Sequence, residues 1–323
     1  MTSSSNLRSD AVRASLPISA VVATRDRPEP LRRCLESLLK QEVTASELIF
    51  IDSSCDDSTR LVIDAFAPSF HERGCRIYWE RATTVGAAAQ RNQGVAVASR
   101  PIIWFFDDDI VMEPSCLQRL WEALAADSGL GGISAMMTNK RYETPGRISR
   151  TMFRLMAGKS LPSYAGRVIG PAVNLLPEDR ADLPKVVPVE WLSTCCALYR
   201  REALPSPPFS SQFTGYSLME DVCLSVTVAR KWRLANVREA RVFHDSQTGA
   251  HKADLAEIWR MSLVNRHYVM ASVLGRKGAS DYLKLALWQV FGCLSCVPHG
   301  RATMMAALRG TLFGIRDIAR SKK

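Results

Sequence analysis

The run Pro101-Ile-Ile-Trp-Phe-Phe106 passes directly into three consecutive aspartates, Asp107, Asp108 and Asp109. A short apolar run bounded by polar residues reads as a buried strand, and this one ends in a cluster of carboxylates. In an open α/β sheet, ligands sit outside the carboxyl ends of the strands. Three negative charges there repel one another and raise one another's pKa unless something positive joins them. A hard divalent cation such as Mg2+ or Mn2+ takes oxygen ligands and shares them with substrate phosphates. The triplet therefore points to metal-assisted chemistry on a phosphate-bearing substrate. Taken alone, it also fits a solvated acidic turn continued by Glu113.

The neighbouring segments restrict the fold further. Apolar runs at 18–23, 47–51, 76–80 and 102–106 alternate with helical patterns at 30–41, 58–66 and 86–98. Strands alternating with helices predict βαβ units and a mostly parallel sheet. Beyond Pro114 the pattern gives a helix to residue 126, a strand over 129–137 and a loop-rich stretch over 139–188. It continues with a strand over 189–199, a short helix start over 200–204, a helix over 220–231, a closing strand over 240–244, and helices over 254–274 and 281–318. The expected architecture is α/β and Rossmann-like, a mostly parallel mixed sheet flanked by helices, with a C-terminal helical extension. Its divisions are a flexible polar N-terminus (1–16), a main domain (17–270) and a basic, amphipathic extension (271–323).

Residues 1–16 have no apolar stretch of the kind a secretory signal needs. Nine scattered cysteines then suit a reducing cytosol and free thiols. The net charge of +10 admits nucleic acid, an anionic membrane or an anionic substrate as partner. Its distribution narrows these. Arg301, Arg309, Arg316, Arg320, Lys322 and Lys323 face only Asp317 at the C-terminal end, just after a nearly apolar run at 283–297. That run is shorter than the ~20 residues a bilayer span needs. It suits either a peripheral seat on an anionic leaflet or a helical hairpin packed on the domain with a solvated basic face. The aromatic interleaving of single-strand binders is missing, so nucleic acid is not expected.

Four polar features gather at the predicted strand ends. They are Thr24-Arg25, Asp52 with Ser-Ser-Cys-Asp-Asp-Ser-Thr after it, the aspartate triplet, and Gly215-Tyr-Ser-Leu-Met-Glu220-Asp221. Each alone could be a helix cap or a complement to a helix dipole. Their common location beyond one sheet favours a site.

In chain order, the segments ISAVVATRDRPEPLRRCLESLLKQ, IDSSCDDST, GAAAQRNQGVAVASRPIIWFFDDDI, WLSTCCALYRREAL and EDVCLSVTVAR resemble the family 2 glycosyltransferases of GT-A fold, over about residues 18–270. The resemblance implies an inverting transfer from a nucleotide-diphosphate sugar to a hydroxyl of a glycan or lipid-linked acceptor. Asp52 would bind the nucleobase, compatible with a UDP- or dTDP-sugar. Thr24, Arg25, Arg91, Asp107 and Asp108 would complete the donor site. Asp107 and Asp109, as the D-x-D pair, would hold Mn2+ or Mg2+ together with His244, which could equally be a turn histidine beside Asp245. Asp221 would be the general base, with Glu220 and Trp191 on the acceptor side, although Trp191 also suits core packing. The sequence departs from the family at Ser53-Ser54 and at Cys195-Cys196. A cytoplasmic protein, peripheral at the inner face of the plasma membrane, is implied. A sugar nucleotidyltransferase and a non-catalytic, membrane-associated sugar-binding scaffold are the competing readings.

Overall fold

The structure is a computed structural model and describes residues 15–246 and 254–320. Residues 1–14 of the expected flexible N-terminus, and Lys322 and Lys323, lie outside the described residues. The first half alternates as read. It comprises β1 (Ser15–Thr24), α1 (Pro28–Leu39), β2 (Thr44–Asp52), α2 (Ser58–Glu72), β3 (Arg76–Arg81), α3 (Ala87–Val97) and β4 (Ile102–Phe106). Then come β5 (Ile110–Met112), α4 (Cys116–Ala126), β6 (Leu130–Met137), α5 (Arg147–Ala157), the short hairpin of β7 (Val168–Ile169) and β8 (Val173–Asn174), β9 (Val186–Val189) and β10 (Cys196–Arg200). The chain closes with α6 (Glu220–Val228), β11 (Arg233–His244), α7 (Leu255–Tyr268), α8 (Ala279–Ser295) and α9 (Arg301–Arg320).

The main sheet runs β3-β2-β1-β4-β10-β6-β11-β5, with β9 also on β11. The strands β3, β2, β1, β4, β6 and β11 all point one way, and β10 runs against its neighbours β4 and β6. The order reverses at β1, which has β2 on one side and β4 on the other. This switch point is where an open α/β sheet leaves a crevice for ligand. Thr24 and Asp52 end their strands side by side in register.

Alternation along β1 sorts its side chains between two cores. Ile18, Ala20 and Val22 face Leu31, Leu35 and Leu38 of α1. Val21 joins Ile49, Ile51 and Phe105 on the other face, with Val222 and Leu224 of α6. α3 has little amphipathic character of its own, and tertiary contact holds it. A Cβ at Gly94 would lie 2.4 Å from Val21 Cγ1, so glycine is what lets this helix lie close on β1.

Three sequence expectations need correction. The stretch 139–188 is not simply loop: it contains α5, the β7–β8 hairpin and β9. The expected strand over 189–199 is two strands separated by residues 190–195, because Glu190 turns away to accept the Val168 N–H and Trp191 donates to the Leu175 carbonyl. The C-terminal helix expected over 281–318 is broken at Val297–His299, where Pro298 meets Gly300 at φ +97°. The resulting α9 packs on α7. A Cβ at Gly310 would lie 2.2 Å from the Ala256 carbonyl oxygen, and Gly314 sits against Leu263.

Candidate active site

The carboxyl ends of β1 and β2 are tied together by one buried amide. Gln90 of α3 donates to the carbonyls of Thr24 (3.0 Å) and Ile51 (2.7 Å). Its Oε1 accepts from Ser53 and from the Gly86 N–H. Residues 215–219 close the site from the other side. Gly86 and Gly215 form a backbone bridge, and Ser217 Oγ accepts from the Ala88 N–H. Gly215, Ser217 and Met219 all take positive φ, so this segment coils tightly before α6 begins at Glu220.

Two arginines organise the carboxylates. Arg27 donates to Asp108 Oδ1 (2.7 Å) and to Asp109 Oδ2 (2.8 Å). Arg91, fully buried, donates to Asp107 (2.7 Å) and to Glu220 (2.8 Å), tying the strand-end triplet to the head of α6. Thr24 Oγ1 donates to Asp108, and His244 Nε2 lies 3.1 Å from Asp109 Oδ1. Burial outweighs the pull of Arg27 and, with Asp109 beside it, pushes the Asp108 carboxyl up to about 7. Burial also acts on Asp109, but there His244 and then Arg27 outweigh it and hold that carboxyl below the usual range. Burial pushes Glu220 up against the opposing charge of Arg91. Asp221 is driven well above the ordinary carboxyl range by burial and then by Glu220 next to it.

Of the residues singled out from sequence, Thr24, Asp108, Asp109 and His244 are linked through Arg27, and Asp107 and Glu220 through Arg91, the two clusters meeting where Asp107 and Asp108 adjoin in the chain, with Asp221 beside Glu220. Asp52 sits one strand over from Thr24, accepting from the Ser54 N–H and from Trp79 Nε1. Arg25 does not join them: it pairs with Asp26 and is half exposed. Asp26 takes φ +52° between the two arginines of the turn, and it is Arg27 that reaches the triplet. Trp191 is 5% exposed and belongs to the core under the sheet. Arg91 has both its terminal nitrogens on carboxylates, so it acts as a positioning residue.

Sequence reasoning missed Arg27, Gln90, Cys195 and Tyr216. An arginine three residues after Thr24 was visible, but only the backbone turn at Asp26 selects it over Arg25. Cys195 Sγ, one oxygen of Asp107 and a ring nitrogen of His244 lie within 4.8 Å of one another. Burial and then Asp107 raise the Cys195 thiol well above its ordinary value. Tyr216 feels the charges of Asp107 and Glu220 in addition to burial, which keeps its phenol protonated. A cleft of about 660 Å³ opens between Leu130, Pro188, Trp232 and Arg276 at the opposite ends of β6 and β11, away from these groups.

The family model for glycosyl transferase family 2 matches residues 19–205, more than half of the chain, and the chain belongs to that family. A PGL/p-HBAD biosynthesis glycosyltransferase of Mycobacterium tuberculosis is 27% identical over 141 residues, covering 42% of this chain and 54% of that protein. The glycosyltransferase GlyG of Streptococcus pneumoniae is 28% identical over 105 residues, covering 32% and 34%. The matches thus span about a third to a half of the length of these relatives. Among solved structures, the mannosyltransferase PcManGT of Pyrobaculum calidifontis, in complex with GDP-Man and Mn2+, superposes with a TM-score of 0.56 at 12% identity, covering 94% of this chain and 90% of that one. GalNAc-T7 with UDP, GalNAc and Mn2+ gives 0.53 at 14% identity, covering 83% and 53%. At these identities the likeness is one of fold, and the fold is GT-A.

Proposed function

We propose that this chain is a metal-dependent, inverting glycosyltransferase that moves a sugar from a UDP- or dTDP-sugar to a hydroxyl of a glycan or lipid-linked acceptor. The observation that carries the reading is the Arg91 bridge. It holds a phosphate-side carboxylate, Asp107, at a fixed offset from the helix end that bears Glu220 and Asp221. Family membership and the GT-A fold support the same reading. The transferase unit is assigned to residues 17–270 and the basic helices to an extension over 271–323.

The residues fit a divalent cation. Asp107 and His244 supply a carboxylate and an imidazole within reach of one point, Asp109 shares His244, and Cys195 adds a thiol. Imidazole beside carboxylate favours Mn2+ over Mg2+, which prefers oxygen ligands. When bound, such an ion supplies Lewis-acid neutralisation of the diphosphate leaving group. The chain's own residues do the rest. Asp52, with Trp79 against it, is the assigned contact for the nucleobase. Thr24 and Arg27 hold Asp108, and Arg27 keeps the triplet from repelling itself apart. Asp221 takes the proton of the acceptor hydroxyl. Its raised pKa makes the ionised carboxylate a stronger base than a free one, as general-base catalysis requires. Glu220 lies on the acceptor side, positioned by Arg91 and within 3.4 Å of Thr194 Oγ1. An acceptor presented at the cytoplasmic face of a membrane accords with the basic helices at the C-terminal end.

The test is a thermal-shift series with nucleoside diphosphates and nucleotide sugars, with and without Mn2+. A ligand that binds only the native state raises its apparent stability. One nucleotide stabilising only with Mn2+ is expected, and no shift with any nucleotide would sink the donor-site reading. With the donor so identified, Asp221→Asn should lower turnover by roughly 100- to 10,000-fold, the range of general-base catalysis, while the donor-induced shift persists. Undiminished turnover would remove Asp221 as base.

A further inference from the structure

We propose that α9, with α8 and α5 beside it, forms a docking face for an anionic bilayer surface. The inference deepens the reading of a membrane-borne acceptor and rests on that reading for its purpose.

The side chains of α9 are divided sharply. Ala307, Gly310 and Gly314 are buried against α7. The opposite side exposes Met305 (60%), Leu308 (42%), Leu312 (59%) and Ile315 (54%), at the three- and four-residue steps of one helix face. Arg301, Arg309, Arg316 and Arg320 are exposed and interleave with them on that face. The guanidinium groups of Arg309 and Arg316 lie 5.4 and 6.0 Å from the Phe313 ring. The only carboxylate of α9, Asp317, is paired with Arg260 of α7 at 2.6 Å, which leaves the outer face positive. An apolar stripe threaded with arginine is the pattern of a helix lying in the headgroup region.

Two neighbours extend the pattern, and one of them was hidden in the sequence. α8 exposes Leu283, Val290 and Leu294 along one side. α5 contains no carboxylate, and it exposes Ile148 (77%) and Leu155 with Arg147, Arg150 and Arg154. It is fixed to α8 by Phe153 against Trp288 and by Lys284 Nζ donating to the Met156 carbonyl. Among the described residues no helix is long and apolar enough to cross a membrane. The proposed seat is accordingly on a bilayer surface and not across it. Charge selects the occupant. A second copy would bring arginine against arginine, whereas anionic headgroups neutralise the arginines while the acyl boundary takes the leucines.

Flotation of the full chain with vesicles tests this in the absence of donor and acceptor, so its failure is separate from failure of the transfer reaction. Binding to phosphatidylcholine vesicles containing phosphatidylglycerol, weakening as salt is raised, is expected. Binding to phosphatidylcholine alone should be far weaker. A juxtamembrane arginine changes partition by roughly 5-fold, so Arg309→Gln with Arg316→Gln should weaken it by roughly 30-fold. All of these side chains are exposed, so folding should survive, as circular dichroism would check. Leu308→Asp with Leu312→Asp should reduce binding through the apolar stripe, and Arg150→Gln with Arg154→Gln through α5. Equal binding to neutral and anionic vesicles, no binding to either, or an unchanged Arg309/Arg316 variant would overturn the proposal. So would a lipid-free dimer that Leu312→Asp dissociates, since the face would then join two copies. Unchanged binding of the Arg150/Arg154 variant would overturn the inclusion of α5.

Discussion

Replacing Arg91 by methionine puts the electrostatic logic of the site under direct strain. The guanidinium is 4% exposed and donates to Asp107 at 2.7 Å and to Glu220 at 2.8 Å. Methionine retains much of the buried stem and removes the charge. Glu220 is then left in a desolvated position with no cation, while Asp107, whose side chain is 28% exposed, can turn to water. Removing one partner of a buried pair costs about 3–5 kcal/mol. The solvent open to Asp107 sets the expectation at the lower end, about 3 kcal/mol, a large share of the ~5–15 kcal/mol that holds a typical protein folded. The pH dependence follows from signs. Burial raises the Glu220 pKa and Arg91 pulls it down. Without Arg91 that pKa climbs further, so the carboxyl takes up a proton as the medium is acidified from neutrality, and the unpaired charge disappears. The deficit should therefore be largest near neutral pH and shrink in mild acid. Urea unfolding of both chains across that range measures it. Glu220→Gln in the Arg91→Met background should recover part of the loss, with a coupling of about 0.5–3 kcal/mol. A loss under ~1 kcal/mol, the size of a surface pair, or one indifferent to acid, would refute the reasoning.

Glu47 is held below the ordinary carboxyl range because hydrogen bonds from Ser19 and Ser99 outweigh its burial. Its contribution is present above the unfolded value of ~4.3 and is lost as pH falls through the folded pKa. Glu47→Gln should cost about 1.5–3 kcal/mol at neutral pH and nothing in strong acid, as parallel unfolding curves would reveal. Gly94→Ala would drive a methyl to 2.4 Å from Val21 Cγ1. It should lower stability by about 1–3 kcal/mol by overpacking, and Val21→Ala should restore part of the melting temperature. No recovery in the double variant would mean that the strain lies elsewhere.

The first half of the fold was legible because each strand there is a compact apolar run ending in a polar residue and followed by a helical repeat. The second half was not, for reasons particular to its residues. The amphipathic pattern of α5 is embedded among glycines, prolines and arginines, and one partner of its apolar side, Trp288 of α8, is distant in sequence. Trp191 and Leu192 look like strand residues but are buried within an irregular connection, pinned through the Leu175 carbonyl and Ser225 Oγ. Asp52 and the aspartate triplet could be read because they sit at strand ends, where the sheet dictates direction, and Glu220 and Asp221 because they head a helix. The cations could not, because a long arginine side chain goes where the turn beneath it aims, and only the folded turn at Asp26 aims Arg27 inward.

Gln90 has a further bearing on how the ends of β1 and β2 are held. Parallel strands diverge beyond their ladder because each is twisted against the next, so the ends of β1 and β2 would ordinarily begin to splay past Thr24 and Asp52. Here a buried side-chain amide ties the two ends, with Thr24 on one bank and Ile51 on the other, beside the Ser53 N–H that donates to the Thr24 carbonyl. The spacing of the two strand ends is thereby fixed. A side chain one methylene shorter at this position would lose that reach and leave the two strand ends freer to part.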